Sequence, residues 1–179
     1  IRRVVVRFCL GDSTRGILRV YQASTKLMED TSTLREFLAA QKVLQIAPAA
    51  DEPWIANVLY VADGTTCLYF VGNTERMYAR QLLADPRLSF ATAWVADNDH
   101  LNRKGVQGVG TASVLEDVSE IRKAIELHNQ KFIDFKDQVT EDEIRFDSSS
   151  SCIWCIKPEF IKFWNDEEYG LNGSEKFNF

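Results

Sequence analysis

Asp63-Gly64 stands between two runs rich in β-forming residues, Trp54-Ile-Ala-Asn-Val-Leu-Tyr-Val61 and Cys67-Leu-Tyr-Phe-Val71. An Asp-Gly step flanked in this way is the strongest hairpin signal in the chain, because both turn positions of a two-residue hairpin must accept positive φ. The first run is apolar but too rich in β-branched and aromatic residues to be a helix. This hairpin commits the first half of the chain to antiparallel pairing.

The surrounding segments have to fit a sheet of short strands. Before the hairpin, Thr33-Leu-Arg-Glu36 reads as a capping box and opens a short helix over 33–41 with Leu34, Phe37 and Leu38 at helical spacing. A strand from Lys42 to Ala47 ends at Pro48. After the hairpin, a helix is expected from Thr74, as N-cap, to Ala84, stopped by Asp85-Pro86. Arg87 to Val95 reads as a strand, Ala96 to Arg103 as a polar loop, and Lys104 to Leu115 as a long strand. Gly105, Gly108 and Gly110 inside that strand point to a bulge or a close approach to the backbone.

Val118 to Phe132 reads as a helix with Ile121, Ala124, Ile125 and His128 on one face. Ile133 to Ser151 is polar and acidic and ends in a serine run read as mobile. Two strands, Cys152 to Lys157 and Phe160 to Trp164, flank Pro158, and the tail after Gly170 reads as loose, with Phe177 and Phe179 free to dock on a partner. Short strands joined by tight turns and single helices predict a mainly β, α+β fold, an antiparallel barrel rather than a βαβ sheet. No G-x-G-x-x-G follows a strand and no Walker A motif is present, so the common nucleotide folds lack their signature.

At 179 residues, 45% hydrophobic and 26% charged, the chain has the composition of one ordinary globular domain. The net charge of −5 argues against a nucleic-acid partner. No apolar run approaches the roughly 20 residues of a membrane-spanning helix, so no membrane partner is expected. Residues 1–27 hold six basic residues and one acid, which leaves −10 for residues 28–179. Three readings of this N-terminal extension stay open: a leader ahead of Met28, an Arg-rich transit peptide, or an added strand from Arg3 to Leu10. Cys152 and Cys155 form a C-x-x-C, but their setting reads as a strand, where residues three apart face opposite sides. Buried structural thiols are therefore expected there, with no zinc site and no demand for an oxidising compartment; the cytoplasm is the expected location.

Three stretches together resemble a known family. Asp85-Pro-Arg-Leu-Ser-Phe-Ala-Thr-Ala-Trp94 resembles N-P-R-V-S-L…W, and Val106-Gln-Gly-Val-Gly-Thr-Ala-Ser-Val-Leu115 is similar to V-x-V-x-G-x-A-x-x-L. Pro158-Glu-Phe-Ile-Lys-Phe-Trp164 resembles P-x-x-I-E-F-W. All three belong, in this order, to the pyridoxamine 5′-phosphate oxidase-like, FMN-binding split barrels. The resemblance covers about residues 33–166, leaving 1–32 as an extension and 167–179 as a tail.

It implies a split β-barrel with flanking helices and a homodimer that holds FMN in a groove between subunits. It places the flavin against the strand matching Val58 and Leu59, the strand end matching Val71 and Gly72, and the following helix start at Asn73 and Thr74. A helix N-terminus suits a phosphate, because it offers free N–H groups and a positive dipole. The family's Trp beside the flavin falls at Trp164.

Several family residues are replaced. The phosphate-gripping Arg and Lys positions carry Ala56, Val61, Met77 and Tyr78, and the flavin-contacting Gln falls at Gly105. The Arg-Leu-His substrate segment is absent from Asn165 to Asn172, so pyridoxamine phosphate oxidation is not expected. Arg76 and Arg80, four apart on one face of the helix, are the available substitutes for holding phosphate, the alternative being a solvated face with Arg76 paired to an acid. Gln107 could meet a flavin edge or simply lie on the barrel surface. Trp164 has a core or dimer-interface alternative.

No general acid, base or nucleophile stands out, which suits chemistry carried by a cofactor. The expectation is an FMN-binding oxidoreductase acting on an unidentified small substrate. The alternatives are a cofactor-free dimeric interaction protein, or the same fold holding haem or a deazaflavin. Haem is disfavoured because the sequence has only two histidines, His100 in a polar loop and His128 on an apolar helix face.

Overall fold

The computed structural model describes residues 30–135, 139–145 and 151–179. The three readings of residues 1–27, and Cys9, lie outside the described residues. In chain order the elements are α1 (Ser32–Ala40), β1 (Val43–Pro48), β2 (Ala56–Ala62), β3 (Leu68–Asn73), α2 (Met77–Ala84), β4 (Arg87–Ala96) and β5 (Asp99–Val114). They continue with α3 (Val118–Lys131), a 3-10 turn (Ile133–Phe135), α4 (Glu141–Arg145), β6 (Ser151–Asn165), α5 (Asp166–Tyr169) and β7 (Ser174–Asn178). Neighbouring strands are antiparallel in the order β3-β2-β1-β4-β5-β6-β7, and β3 also pairs with β6. That extra pairing closes β1 to β6 into a six-stranded barrel, with β7 added outside the closure. No helix among the described residues is long and apolar enough to cross a membrane.

Strand alternation sorts the side chains into two cores. Tyr60, Leu68, Phe70, Phe90, Val106, Trp154, Ile156 and Phe163 fill the barrel. Val61, Tyr69, Ile153 and Cys155 point outward and pack beneath Ile121, Ala124 and Ile125 of α3. Leu34, Phe37 and Leu38 of α1 and Ala79 and Leu82 of α2 also join the barrel core. Tyr60 Oη donates to the Leu38 carbonyl at 2.7 Å, which ties α1 to the barrel.

Several expectations are corrected. The helix α1 begins at Ser32, so Thr33 lies inside it and makes no capping box; Asp30 Oδ1 instead accepts the Ser32 N–H at 3.0 Å. The β2 strand starts at Ala56, leaving Trp54 and Ile55 exposed ahead of it. The Asp63-Gly64 step is part of a wider turn, in which the Asp63 N–H donates to the Cys67 carbonyl at 3.0 Å. Asp63 Oδ1 accepts from Thr65 N–H, Thr65 Oγ1 and Cys67 N–H at 2.9, 2.7 and 3.1 Å. This carboxylate network moves the left-handed residue to Thr66, with φ 75°, while Gly64 stays at negative φ.

Further along, α2 begins at Met77, not Thr74, because Arg76 is still extended and its N–H bonds the Asn73 carbonyl. The segment Ala96 to Arg103 is no loop. A bulge at Val95/Ala96 brings Ala96 opposite Asp99, and the hairpin turns through Asp97 and Asn98. The two closing strands are one, β6, which runs through Pro158 by bulging at Glu159: Val109 pairs Phe160 and Gly110 pairs Pro158. The tail forms β7 on β6, and Phe177 is buried in its own barrel, not available to a partner. In the stretch Ile133 to Ser151, Val139 is buried beneath α3 and residues 141–145 are helical. Most of the serine run lies outside the described residues.

Asp63 is also the anchor of α3. Its Oδ2 meets Lys123 Nζ at 2.7 Å and accepts from Tyr69 Oη at 3.2 Å. Burial alone would raise its pKa, but hydrogen bonds from Lys123 and Thr65 outweigh this and leave it below 3.8. A depressed carboxyl pKa contributes stability that is present above the unfolded value and lost as pH falls through the folded one. Asp63→Asn is therefore expected to cost about 2 kcal/mol in urea denaturation at about pH 7. The gap from wild type should narrow toward about pH 2, where both proteins lack the charge.

Candidate functional site

The surface over β1, β4, β5 and β6 is shaped by small residues. Register puts Gln45 beside Ala91, Ala91 beside Gln107, and Gln107 beside Lys162, all facing outward. With Ala47, Ser89, Ile55, Val109 and Phe160 they line a shallow apolar groove of about 370 Å³. Toward the far end of β5 and β6 a second cavity of about 340 Å³ opens between Ala93, Val95, Arg103, Gln107, Lys162 and Trp164. Gln107 and Lys162 line both, so the two cavities adjoin.

The three glycines of β5 have separate reasons, each a close approach. A Cβ on Gly105 would stand 2.3 Å from Trp164 Cζ2, so the indole lies directly on this glycine. A Cβ on Gly108 would stand 2.3 Å from the Phe90 ring inside the barrel, and one on Gly110 would strike the Lys157 carbonyl. With the indole placed here, no side chain fits at position 105.

The expected ligand residues fall into separate places. Val58 is buried in the barrel interior, and Leu59 lies on the outer face, partly exposed. Val71 packs beneath α3, and Gly72 is covered by the Tyr78 hydroxyl and the Trp154 ring. Asn73 and Thr74 form the turn into α2, with Asn73 Oδ1 accepting the Glu75 N–H at 2.7 Å. Arg76 and Arg80 are exposed at the start of α2, and no ion pair to either is formed among the described residues. Gln107 and Trp164 are together on the outer face. Trp164 lies near one end of β6, whereas Ser151, the partner of Asn73, begins the other end. One chain therefore does not bring the arginines and Trp164 together.

Electrostatics distinguish the helix ends. The α3 N-terminus is capped by Asp117, which accepts from Ser119 and Glu120 N–H groups, and Glu120 lies in its first turn. The α2 N-terminus has no side-chain cap and no acid in its first turn. Glu75 lies just ahead of it, two residues before Met77.

The thiols behave as structural groups. Cys152 packs toward the barrel core and Cys155 toward α3, and burial pushes their pKa values up to about 11 and about 12. Cys67, Cys152 and Cys155 are free, and no His, Cys, Asp and Glu cluster suited to a metal occurs among the described residues. His128 is buried with its ring 5.0 Å from Phe132, while His100 is exposed near the β4–β5 turn. Sequence patterning did not single out Lys162 or Arg103, because an outward position on a strand carries no motif of its own.

The sequence profile described as pyridoxamine 5′-phosphate oxidase matches residues 31–165, and the chain belongs to this family. A haem-binding protein from Mycobacterium smegmatis has the same fold, with TM-score 0.63 and 21% identity over 80% of this chain; the match spans 55% of that protein. HutZ, the haem storage protein of Vibrio cholerae, aligns at TM-score 0.56 and 20% identity, covering 71% of this chain and 88% of that one. An FAD-binding protein from Mesorhizobium loti aligns at TM-score 0.55 and 17% identity, covering 73% and 91%. No protein of curated function matches the sequence significantly.

Gly105→Ala should displace the Trp164 indole at a cost of about 1–3 kcal/mol, as overpacking does elsewhere. Near-ultraviolet circular dichroism and denaturant titration check this; an unchanged tryptophan signal would contradict the contact.

Proposed function

We propose that the protein is a dimeric flavin-binding split barrel, holding FMN between two copies and acting as an oxidoreductase on a small substrate. The observation that carries this reading is the α2 N-terminus, where Arg76 and Arg80 flank a helix start without cap or acid. A phosphate monoester fits there, since guanidinium groups and helix N–H donors both favour a dianion. The ring system would lie against the Gln107 and Trp164 surface of a second copy, because one chain separates the two halves. The apolar groove over β1, β4, β5 and β6 is the surface on which the copies would meet. When bound, the flavin supplies the hydride or electron transfer; the chain's residues bind and orient it and exclude water.

Haem is the second reading, supported by the likeness to the mycobacterial and Vibrio proteins. His128 is buried, so His100 is the histidine that could reach a haem iron from this chain. A cofactor-free interaction protein is the third, resting on the same apolar groove.

Incubation with FMN, desalting and a visible spectrum separate these readings: a retained flavin spectrum is expected. A Soret band after haem addition, with no flavin retained, would transfer the assignment to haem, and a colourless protein would favour the interaction module. The variant Arg76→Ala with Arg80→Ala is expected to weaken FMN binding at least about tenfold, with sedimentation still showing a dimer. Unchanged FMN affinity would remove the phosphate assignment.

A further inference from the structure

The cysteine pairing that the C-x-x-C spacing suggests is not the one the fold brings together. Cys152 and Cys155 lie on opposite sides of β6, one packed toward the barrel core and the other toward α3. Register gives Cys155 a different neighbour. Tyr69 of β3 is directly opposite Cys155, and Cys67, two residues before Tyr69, shares its face. Both backbone polar groups of Cys67 are turned toward Asp63: its carbonyl accepts the Asp63 N–H at 3.0 Å, and its own N–H donates to Asp63 Oδ1 at 3.1 Å. Toward β6, Cys67 therefore stands at a non-hydrogen-bonded position, where side chains on facing strands approach most closely. The Cys67 and Cys155 thiols meet there within hydrogen-bonding reach, in the cluster beneath α3.

The two sulfurs differ in access. Cys155 is only 3% exposed, whereas Cys67 is half-buried at the edge of the same cluster. Burial, with the Cys67 thiol adding to it, holds Cys155 well above the usual thiol range, so it stays protonated at neutral pH. An accessible thiol with a shielded one against it is the arrangement in which an oxidised first sulfur is captured by the second before it oxidises further. Cys152 has no part in this pair, and its thiol lies 3.4 Å from the Gly72 carbonyl instead.

We infer that Cys67 and Cys155 are a redox-active dithiol, which a hydroperoxide oxidises to a disulfide joining β3 to β6 in the native barrel. Cys67 attacks the peroxide: its sulfur bonds the near oxygen, the O–O bond breaks, and with hydrogen peroxide the far oxygen leaves as water with the thiol proton. Cys155 then attacks the Cys67 sulfenic acid; the S–O bond breaks, the S–S bond forms, and a second water leaves with the Cys155 proton. Two electrons and two protons pass from the thiols to the peroxide. The bond spans the ladder that closes the barrel and does not require the flavin reading.

The test treats the native, reduced protein with hydrogen peroxide, blocks the remaining thiols with N-ethylmaleimide and maps the peptides by mass spectrometry. A peptide pair joined through Cys67 and Cys155, lighter by two hydrogens than its parts and split by dithiothreitol, is expected. Cys152 should be alkylated as in untreated protein, and Cys152→Ser should leave the bond unaffected. Cys67→Ser should slow the oxidation of Cys155 at least about tenfold. In Cys155→Ser, the Cys67 sulfenic acid should persist long enough to be trapped by dimedone. A disulfide between Cys152 and Cys155, bonds between chains only, or Cys67 and Cys155 both alkylated after peroxide would overturn the inference. The same treatment in urea is the control. A Cys67–Cys155 bond formed in the unfolded chain and not in the native one would also overturn it, and the wild-type mapping depends on no variant folding.

Discussion

The pairing of β3 with the first half of β6 is the constraint on which the rest of the structure depends. Without it the sheet would be open, and Tyr60, Phe70 and Trp154 would face water on one side. Six consecutive register pairs, from Leu68 with Ile156 to Asn73 with Ser151, close the barrel. Trp154 then stacks on Phe70 with ring centroids 6.0 Å apart inside it, while Ile153 and Cys155 on the same strand serve the core under α3. Each large apolar side chain buried in this way contributes on the order of 1.5–3 kcal/mol before ordering costs. Burial on both sides also explains why Cys-Ile-Trp-Cys-Ile is apolar without interruption, where a half-exposed strand would alternate.

Closure leaves two ends and one outer face to be managed. The helices α1 and α2 contribute Leu34, Phe37, Leu38, Ala79 and Leu82 to the barrel core. At the C-terminal end of α3, Lys131 donates to the Gln41 carbonyl and lies 4.8 Å from the Tyr60 ring. Burial there lowers its pKa to about 8. On the outer face, Ala47, Ser89, Ala91 and Ala93 leave much of the backbone uncovered, so the surface is shallow. Trp164, Lys162 and Phe160 on this face come from β6, the strand that also closes the barrel.

The distribution of charge follows a different logic from that of the core. Where a charge serves the fold it has a partner: Asp63 with Lys123, Asp117 with its own helix, Asp166 with Arg103. Arg76, Arg80, Lys162 and Lys176 form no ion pair among the described residues. All four stand at the surface, where folding gains little from ion pairs, so the lack of partners costs the fold little.

Much of the fold was legible in the sequence, because local periodicity and turn chemistry act over a few residues. Leu34, Phe37 and Leu38 identified α1, Lys104 to Leu115 was legible as most of β5, and Ile121 to His128 identified the buried face of α3. Gly105, Gly108 and Gly110 correctly signalled close approaches, but not what approaches them. What the sequence left undetermined depended on partners distant in the chain. The Asp63 carboxylate holds the wider turn through Thr65 and Cys67 and also meets Lys123 and Tyr69, which are distant in the chain. Residues 96–103 and the C-terminal tail became strand because a ladder was already waiting beside them. For the site, sequence alone supplied the family, Trp164, and the arginines near the α2 start. Only the tertiary structure decided that Trp164 lies on Gly105, that Lys162 faces Lys176, and that the arginines stand at the other end of the barrel. A strand's side chains acquire neighbours only when register is set, and register is a property of the closed sheet.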